Sequence, residues 1–247
     1  MHPTSIETTG YAHCPSPKGS LHSPFSLLCW NVNKHKEISQ YRERFRSLDK
    51  RWNFQLILLQ EAPLHLLTQV FDTNYHTFEQ ANLHFGKSRY GVATISRHAP
   101  LEVTTGTSQG KEFFVGPKKS YVLTLHSLGN GDKLLCLNLH AINFREHTGY
   151  RNELELLYTH LKKHIGPMIV AGDFNRWNKA REIALNQFCD QLQLICVKHD
   201  EKGVKKFMGH PLDFVYYRGL KVIKSKVILE KISDHNPILV EFSKTNE

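Results

Sequence analysis

The chain lacks the marks of export or of membrane residence. No apolar run approaches the roughly 20 residues that a membrane-spanning helix needs. Its opening, MHPTSIETTGYAHCPSPKGS, has no basic start followed by an apolar stretch, so no secretory signal is read and a cytoplasmic location is expected. Cysteine is scarce: Cys14, Cys29, Cys136, Cys189 and Cys196 form no CxxC pair and no zinc spacing, and their odd number argues against a pure disulfide framework. Cys29 and Cys136 fall inside apolar strand-like runs, where a thiol packs as a small hydrophobe, as suits a reducing compartment. Acidic residues are in deficit as well, 23 against 32 Lys and Arg, which leaves a formal charge of +9. That surplus favours polyanionic partners (nucleic acid, anionic lipid head groups, phosphorylated small molecules) without choosing among them. The cations come in short dispersed groups, each of which reads singly as a solvated face.

What is present is enough for a substantial core. At 247 residues with 40% hydrophobic content, the chain suits one large α/β domain. Residues 1–23, rich in Pro, Gly, Ser and Thr, are expected to form a flexible tail, and residues 24–247 a single catalytic domain. FSLLCW (25–30) and QLILLQ (55–60) read as strands. Between them Ile38, Tyr41, Phe45, Leu48 and Trp52 recur at helical spacing. GVATIS (91–96), SYVLTLHS (120–127) and KLLCLNLH (133–140) are further strands, the last two joined by the hairpin signal Gly129-Asn130-Gly131. A second amphipathic helix is predicted from about Tyr150 to His164. MIVA (168–171), DFVYY (213–217), a run from Val222 to Leu229 and PILVEF (237–242) complete a mixed-sheet α/β pattern.

The polar residues of interest share one placement, the C-terminal ends of these runs. Asn31 and Asn33 follow the first strand, Glu61 ends the second and His140 ends KLLCLNLH. Asp173 and Asn175 follow MIVAG, while Asp234 and His235 precede the last strand. One such residue is usually a cap or turn former; a whole set drawn only from Asp, Glu, Asn and His suits hydrolysis of a phosphate ester with a divalent ion. A hard cation wants oxygen ligands, an attacking water needs a carboxylate or His, and charge on the phosphoryl oxygens needs donors. Glu61 suits the metal, Asp173 the water, Asn175 the oxyanion, and the two His residues the phosphate and the leaving group.

In order along the chain, CWNVN (29–33), LLQEA (58–62), NLHAIN (138–143), GDFN (172–175), LDFVYYRG (212–219) and SDHNP (233–237) resemble the endonuclease/exonuclease/phosphatase superfamily over roughly residues 25–243. The resemblance implies a DNase I-like, four-layered sandwich of two mixed β-sheets packed face to face with helices outside. It implies Mg2+ or Mn2+ as cofactor, with Glu61 as principal metal ligand, Asn33 at a position often filled by a metal-associated Asp, and Asp234 close to the metal. Asn31 would hold Asp173, which would orient the nucleophilic water. Asn175 and His235 would contact the scissile phosphate, His235 being paired with Asp213, and His140 would protonate the leaving oxygen.

Departures from individual subfamilies narrow the substrate only in part. The abasic-site endonucleases place a Tyr where this chain has NLHAIN, the inositol 5-phosphatases carry a PAWCDR segment that is missing here, and no lipid anchor is evident. Lys118, Arg145 and Arg176 lie beside the motifs and can meet a phosphate backbone, and Trp177 can stack on a base or pack in the core. The expectation is a monomeric, Mg2+-dependent phosphodiesterase acting on DNA or RNA. The alternatives are a phospholipid, sphingomyelin or inositol phosphate hydrolase on the same scaffold, and a catalytically silent binding module.

Overall fold

Two strand–helix–strand crossovers, one in each half of the chain, set the architecture. The computed structural model describes residues 19–34, 37–111, 118–129, 131–141, 147–199 and 203–245. The first crossover is β1 (Phe25–Asn31), α1 (Ile38–Trp52) and β2 (Phe54–Pro63). Tyr41, Phe45, Leu48 and Trp52 form the buried stripe of α1, as their spacing requires, and Asn53 ends the helix in a left-handed conformation at φ 50°. A short turn and α2 (Leu67–Val70) lead to the hairpin β3 (His76–Phe85) and β4 (Ser88–Ser96). The second half opens with β5 (Glu102–Lys111) and β6 (Lys118–Ser127), then makes its own crossover through β7 (Lys133–His140), α3 (His147–Leu161) and β8 (Met168–Asp173). It continues through α4 (Lys179–Gln191), β9 (Ile195–Cys196), a small hairpin of β10 (Lys206–Phe207) and β11 (His210–Pro211), then β12 (Asp213–Arg218), β13 (Leu220–Val227) and β14 (Ile238–Lys244).

The strands assemble into two six-stranded mixed sheets, ordered β13-β14-β1-β2-β4-β3 and β5-β6-β7-β8-β12-β9. Each has one parallel pair at its centre, β1 with β2 and β7 with β8. Leu27, Cys29, Leu58, Cys136, Ile169, Val215 and Val240 pack in the layer between the sheets. α1 covers the outer face of the first sheet and α3 and α4 that of the second, which gives the expected four layers. Both cysteines in the central layer are free and buried.

That layer also holds a polar link. The Gln60 amide donates to Asn138 Oδ1 at 2.6 Å, and Asn138 donates in turn to the Leu59 and Ala93 carbonyls at 3.3 and 2.9 Å. All are buried, so the hydrogen bonds are needed to offset the cost of desolvation. They favour one register of sheet against sheet.

The structure departs from the sequence reading in three places. Within the expected tail, residues 19–23 are described and make contacts with the body of the protein. Leu21 is buried and its N–H donates to the Ser127 carbonyl at 2.8 Å, while the His22 N–H donates to Gln55 Oε1 at 3.0 Å. α3 begins at His147 and ends at Leu161, short of His164. The helix α4 and the strands β3 and β5 were not anticipated. α4 interrupts its apolar side with Arg181, and β3 is a half-exposed edge strand in which polar and apolar residues mix.

One buried titratable group lies near the end of β6, at the end of the second sheet away from His140. His126 donates to or accepts from Thr124 Oγ1 at 2.9 Å, and its Nδ1 has no hydrogen-bond partner among the described residues. Burial, with a contribution from His98, pushes its pKa down to about 3. The unfolded chain protonates this ring below about pH 6.5 and the folded one does not, so stability falls as pH falls toward 3. We expect the wild type to lose about 2 kcal/mol between pH 7 and pH 5 through this residue. Urea midpoints of His126→Gln over that range should lack this component; identical pH slopes in the two proteins would refute it.

Candidate active site

Register brings the polar strand ends together. In the second sheet His140 lies directly opposite Asp173, and Asp173 opposite Asp213. Gly172 makes this possible, because a Cβ there would stand 1.9 Å from the Leu139 carbonyl oxygen. In the first sheet Asn31 pairs with Gln60, and an irregularity between Leu59 and Ala62 turns Glu61 out of the ladder at φ 51°. Asn33, Lys34 and Asn175 also have left-handed backbones, at φ 46°, 53° and 48°. Non-glycine residues in this region are strained, and their concentration here marks a place where aim outweighs local comfort.

Asp173 is held at both carboxylate oxygens. Asn31 Nδ2 donates to Oδ2 at 3.0 Å, and the Asn175 N–H donates to Oδ1 at 3.0 Å. Asn31 Oδ1 accepts from the Asn33 N–H at 3.0 Å, so its amide orientation is fixed. His140 Nε2 lies 3.6 Å from Asp173 Oδ2 and 3.7 Å from Glu61 Oε1. Glu61 is ion-paired with the Lys34 ammonium. Asn175 donates through Nδ2 to the Ala141 carbonyl at 2.9 Å, and its own carbonyl accepts from Arg181 Nη1 at 3.0 Å.

A second group stands beside this one. His235 Nδ1 donates to Asp213 Oδ2 at 2.7 Å. Asp213 Oδ1 is buried with no hydrogen-bond partner among the described residues. Burial disfavours the charged ring of His235, but the Asp213 carboxylate, its hydrogen bond and the nearby Asp173 and Asp234 outweigh this and raise the pKa to about 9. Asp234, half-exposed, lies 4.0 Å from His235 Nε2 and 2.8 Å from Lys205 Nζ. Burial would raise its pKa, yet Lys205 and His235 bring it below the usual carboxylate value. Asp173, Asp213 and His235 offer ligand atoms all within 4.8 Å of one another, a buried group able to hold a metal ion.

Some expected residues stand elsewhere. The Arg176 guanidinium lies 4.6 Å over the Phe214 ring with Glu182 at 3.9 Å, and Trp177 packs between Arg181 and Phe207. Asn33 is exposed and meets the site through its backbone N–H. Lys118 begins β6, and Arg145 lies outside the described residues. Sequence reasoning missed others. Ser233 Oγ donates to the Asn31 carbonyl at 2.8 Å and accepts from the His235 N–H at 3.1 Å, while Trp30 Nε1 donates to the His235 carbonyl at 2.9 Å. Ser233 was within reach, since it opens the SDHNP segment. Arg181, fully buried under Asn175 and 4.5 Å over the Tyr150 ring, left no signal, because an Arg in NKAREI reads as a helix surface.

Residues 28–235 match the family model described as Endonuclease/Exonuclease/phosphatase family. Among solved structures, an endonuclease/exonuclease/phosphatase family protein from Leptotrichia buccalis C-1013-b is 20% identical with a TM-score of 0.67, over 89% of this chain and 99% of that one. Humanized D. rerio TDP2 is 16% identical with a TM-score of 0.67, over 90% and 100%. The Bacteroides thetaiotaomicron VPI-5482 mannosyl-6-phosphatase Bt3783 is 16% identical with a TM-score of 0.71, over 88% and 99%. At these identities the likeness is one of fold.

The His235 pair makes a measurable demand. A raised imidazole pKa stabilises the fold fully below about pH 6.5, and that contribution is lost as pH rises through about 9. In EDTA-treated protein, NMR titration of His235 should give a midpoint near pH 9, and Asp213→Asn should lower it by at least about one unit. An unchanged midpoint would remove Asp213 as the cause.

Proposed function

Because the chain belongs to the endonuclease/exonuclease/phosphatase family, whose members act on phosphoric esters, we propose that it hydrolyses phosphodiester bonds in nucleic acid with a divalent metal ion. The observation that carries this reading is Asp173, fixed at both oxygens and flanked by His140, Asn175 and the His235–Asp213 pair. A carboxylate so fixed accepts a proton from water and aims its lone pair at phosphorus, in line with the leaving oxygen. Asn175 Nδ2 and the imidazolium of His235 donate to the non-bridging oxygens, where charge builds. His140, near both carboxylates, delivers a proton to the leaving oxygen.

The donor set fits Mg2+ or Mn2+. Glu61 already attracts one cation, the Lys34 ammonium, and Glu61, Asn33 and Asp234 supply hard oxygens. Glu61 suits such an ion better than His235 does, since an imidazole protonated on both nitrogens has no lone pair to give. When bound, the ion would supply Lewis-acid stabilisation of the phosphate and leaving oxygen.

Charge rather than kinship supports nucleic acid as the substrate. The net +9, with Arg145 and Lys118 near the motifs in sequence, complements a polyphosphate strand. The mannosyl-6-phosphatase neighbour shares the fold only.

The test is cleavage of supercoiled plasmid and single-stranded RNA with Mg2+, Mn2+ or EDTA. We expect metal-dependent cutting, with Asp173→Ala and His235→Ala each at least about 100-fold slower and still folded. Full activity in both variants would defeat the site. No cutting by wild type that binds metal would move the substrate to phospholipid or inositol phosphate, and failure to bind metal would leave a silent binding module.

A further inference from the structure

The β10–β11 hairpin is built against its own turn chemistry. Phe207 pairs with His210 across a two-residue turn, Met208-Gly209, with left-handed φ values of 50° and 82°. Such turns favour Asn or Asp before Gly, because an unbranched apolar side chain gains nothing to offset a left-handed backbone. Met208 is nevertheless 74% exposed and Phe207 42% exposed, so both apolar groups face water at a strained tip. Neither turn formation nor core packing accounts for them.

The hairpin is fastened to the catalytic groups. The Leu212 N–H donates to the Lys205 carbonyl at 3.0 Å to close its base, and the Phe174 N–H donates to the Leu212 carbonyl at 2.8 Å, between Asp173 and Asn175. Asp213 follows directly, and Lys205 Nζ donates to Asp234 at 2.8 Å. Phe207 stands edge-on to Trp177, with ring centroids 6.3 Å apart and planes at 87°, and the Trp177 N–H donates to the Asn175 carbonyl at 3.0 Å. An exposed apolar tip is thus tethered beside the site, with Lys205 and Lys206 at its base.

We propose that Phe207 and Met208, backed by Trp177, form a stacking platform for an unpaired nucleobase next to the scissile phosphate, making single-stranded nucleic acid the preferred substrate. This rests on the nucleic-acid reading above and deepens it. Aromatic and thioether groups directly following a pair of lysines match a base on a phosphate backbone. Two apolar side chains on one tight turn are a small surface for a membrane, which engages a whole amphipathic face. They match the face of one base.

The experiment compares KM for a ten-residue oligothymidylate with KM for an abasic strand of the same length and sugar-phosphate backbone, both with Mg2+. The wild type should prefer the base-bearing strand by about 10-fold. Phe207→Ala should bring the ratio toward one. So should Met208→Asn, which suits the left-handed turn better than Met and so cannot act by unfolding the hairpin; its melting temperature should equal or exceed that of the wild type. A wild-type ratio near one, or a ratio undiminished in both variants, would overturn the platform while leaving a nuclease. Cutting of neither strand would fail the nucleic-acid reading and the platform with it. Binding to phosphatidylcholine–phosphatidylserine vesicles that both variants lose, without base preference, would overturn it in favour of a lipid contact.

Discussion

The hydrogen bond from Asn31 to Asp173 joins the last residue of β1 in one sheet to the last residue of β8 in the other. The arrangement of the candidate site depends on that junction. A strand end in one sheet offers the carboxylate and its own turn holds one oxygen, while the other oxygen is held from across the sandwich. The same holds for His235. Its backbone is tied to Trp30 and Ser233 on the side of the first sheet, and its ring to Asp213 in the second. Sheet alignment and the geometry of the candidate site are thus one constraint, and the buried Gln60–Asn138 pair enforces it from beneath. Such a pair adds little net stability and excludes shifted registers, in which its polar atoms would be stranded.

Much of this was legible in the sequence because hydrophobic periodicity and strand ends are local signals. The stripe Tyr41-Phe45-Leu48-Trp52 and the central strands β1, β2, β7 and β8 emerge at nearly the positions read from the sequence. Asn31, Glu61, His140, Asp173 and Asn175 could be listed as strand-end residues, and resemblance supplied the Asp213–His235 pairing. What could not be read is whatever depends on three-dimensional company. Arg181 reads as a surface residue until Tyr150, Trp177 and the Asn175 carbonyl are placed around it. β3, an edge strand with one face half open to water, had no clean alternation to show. Arg176 follows GDFN in sequence yet lies against Phe214, because sequence adjacency says nothing of side-chain direction.

Backbone strain and charge are arranged to the same end. Asn33, Lys34, Glu61 and Asn175 occupy left-handed conformations that only a surrounding framework can maintain. That framework is the pair of parallel crossovers, whose C-terminal strand edges face one way in both sheets. Acidic groups gather at this edge of an otherwise cationic molecule, where their mutual repulsion is offset by nearby cations. Lys34 on Glu61 and Lys205 on Asp234 serve as internal counterions there.

Residues 19–24 give the sandwich its second fastening. Leu21 bonds to Ser127 in β6, while His22 and Ser23 bond to Gln55 in β2 and Lys244 in β14, so one short stretch of chain straps both sheets at the end away from the catalytic edge. A box tied at both ends does not hinge. The two sheets are therefore held as one platform, strapped by this segment at one end and joined through Asn31 and Asp173 at the other.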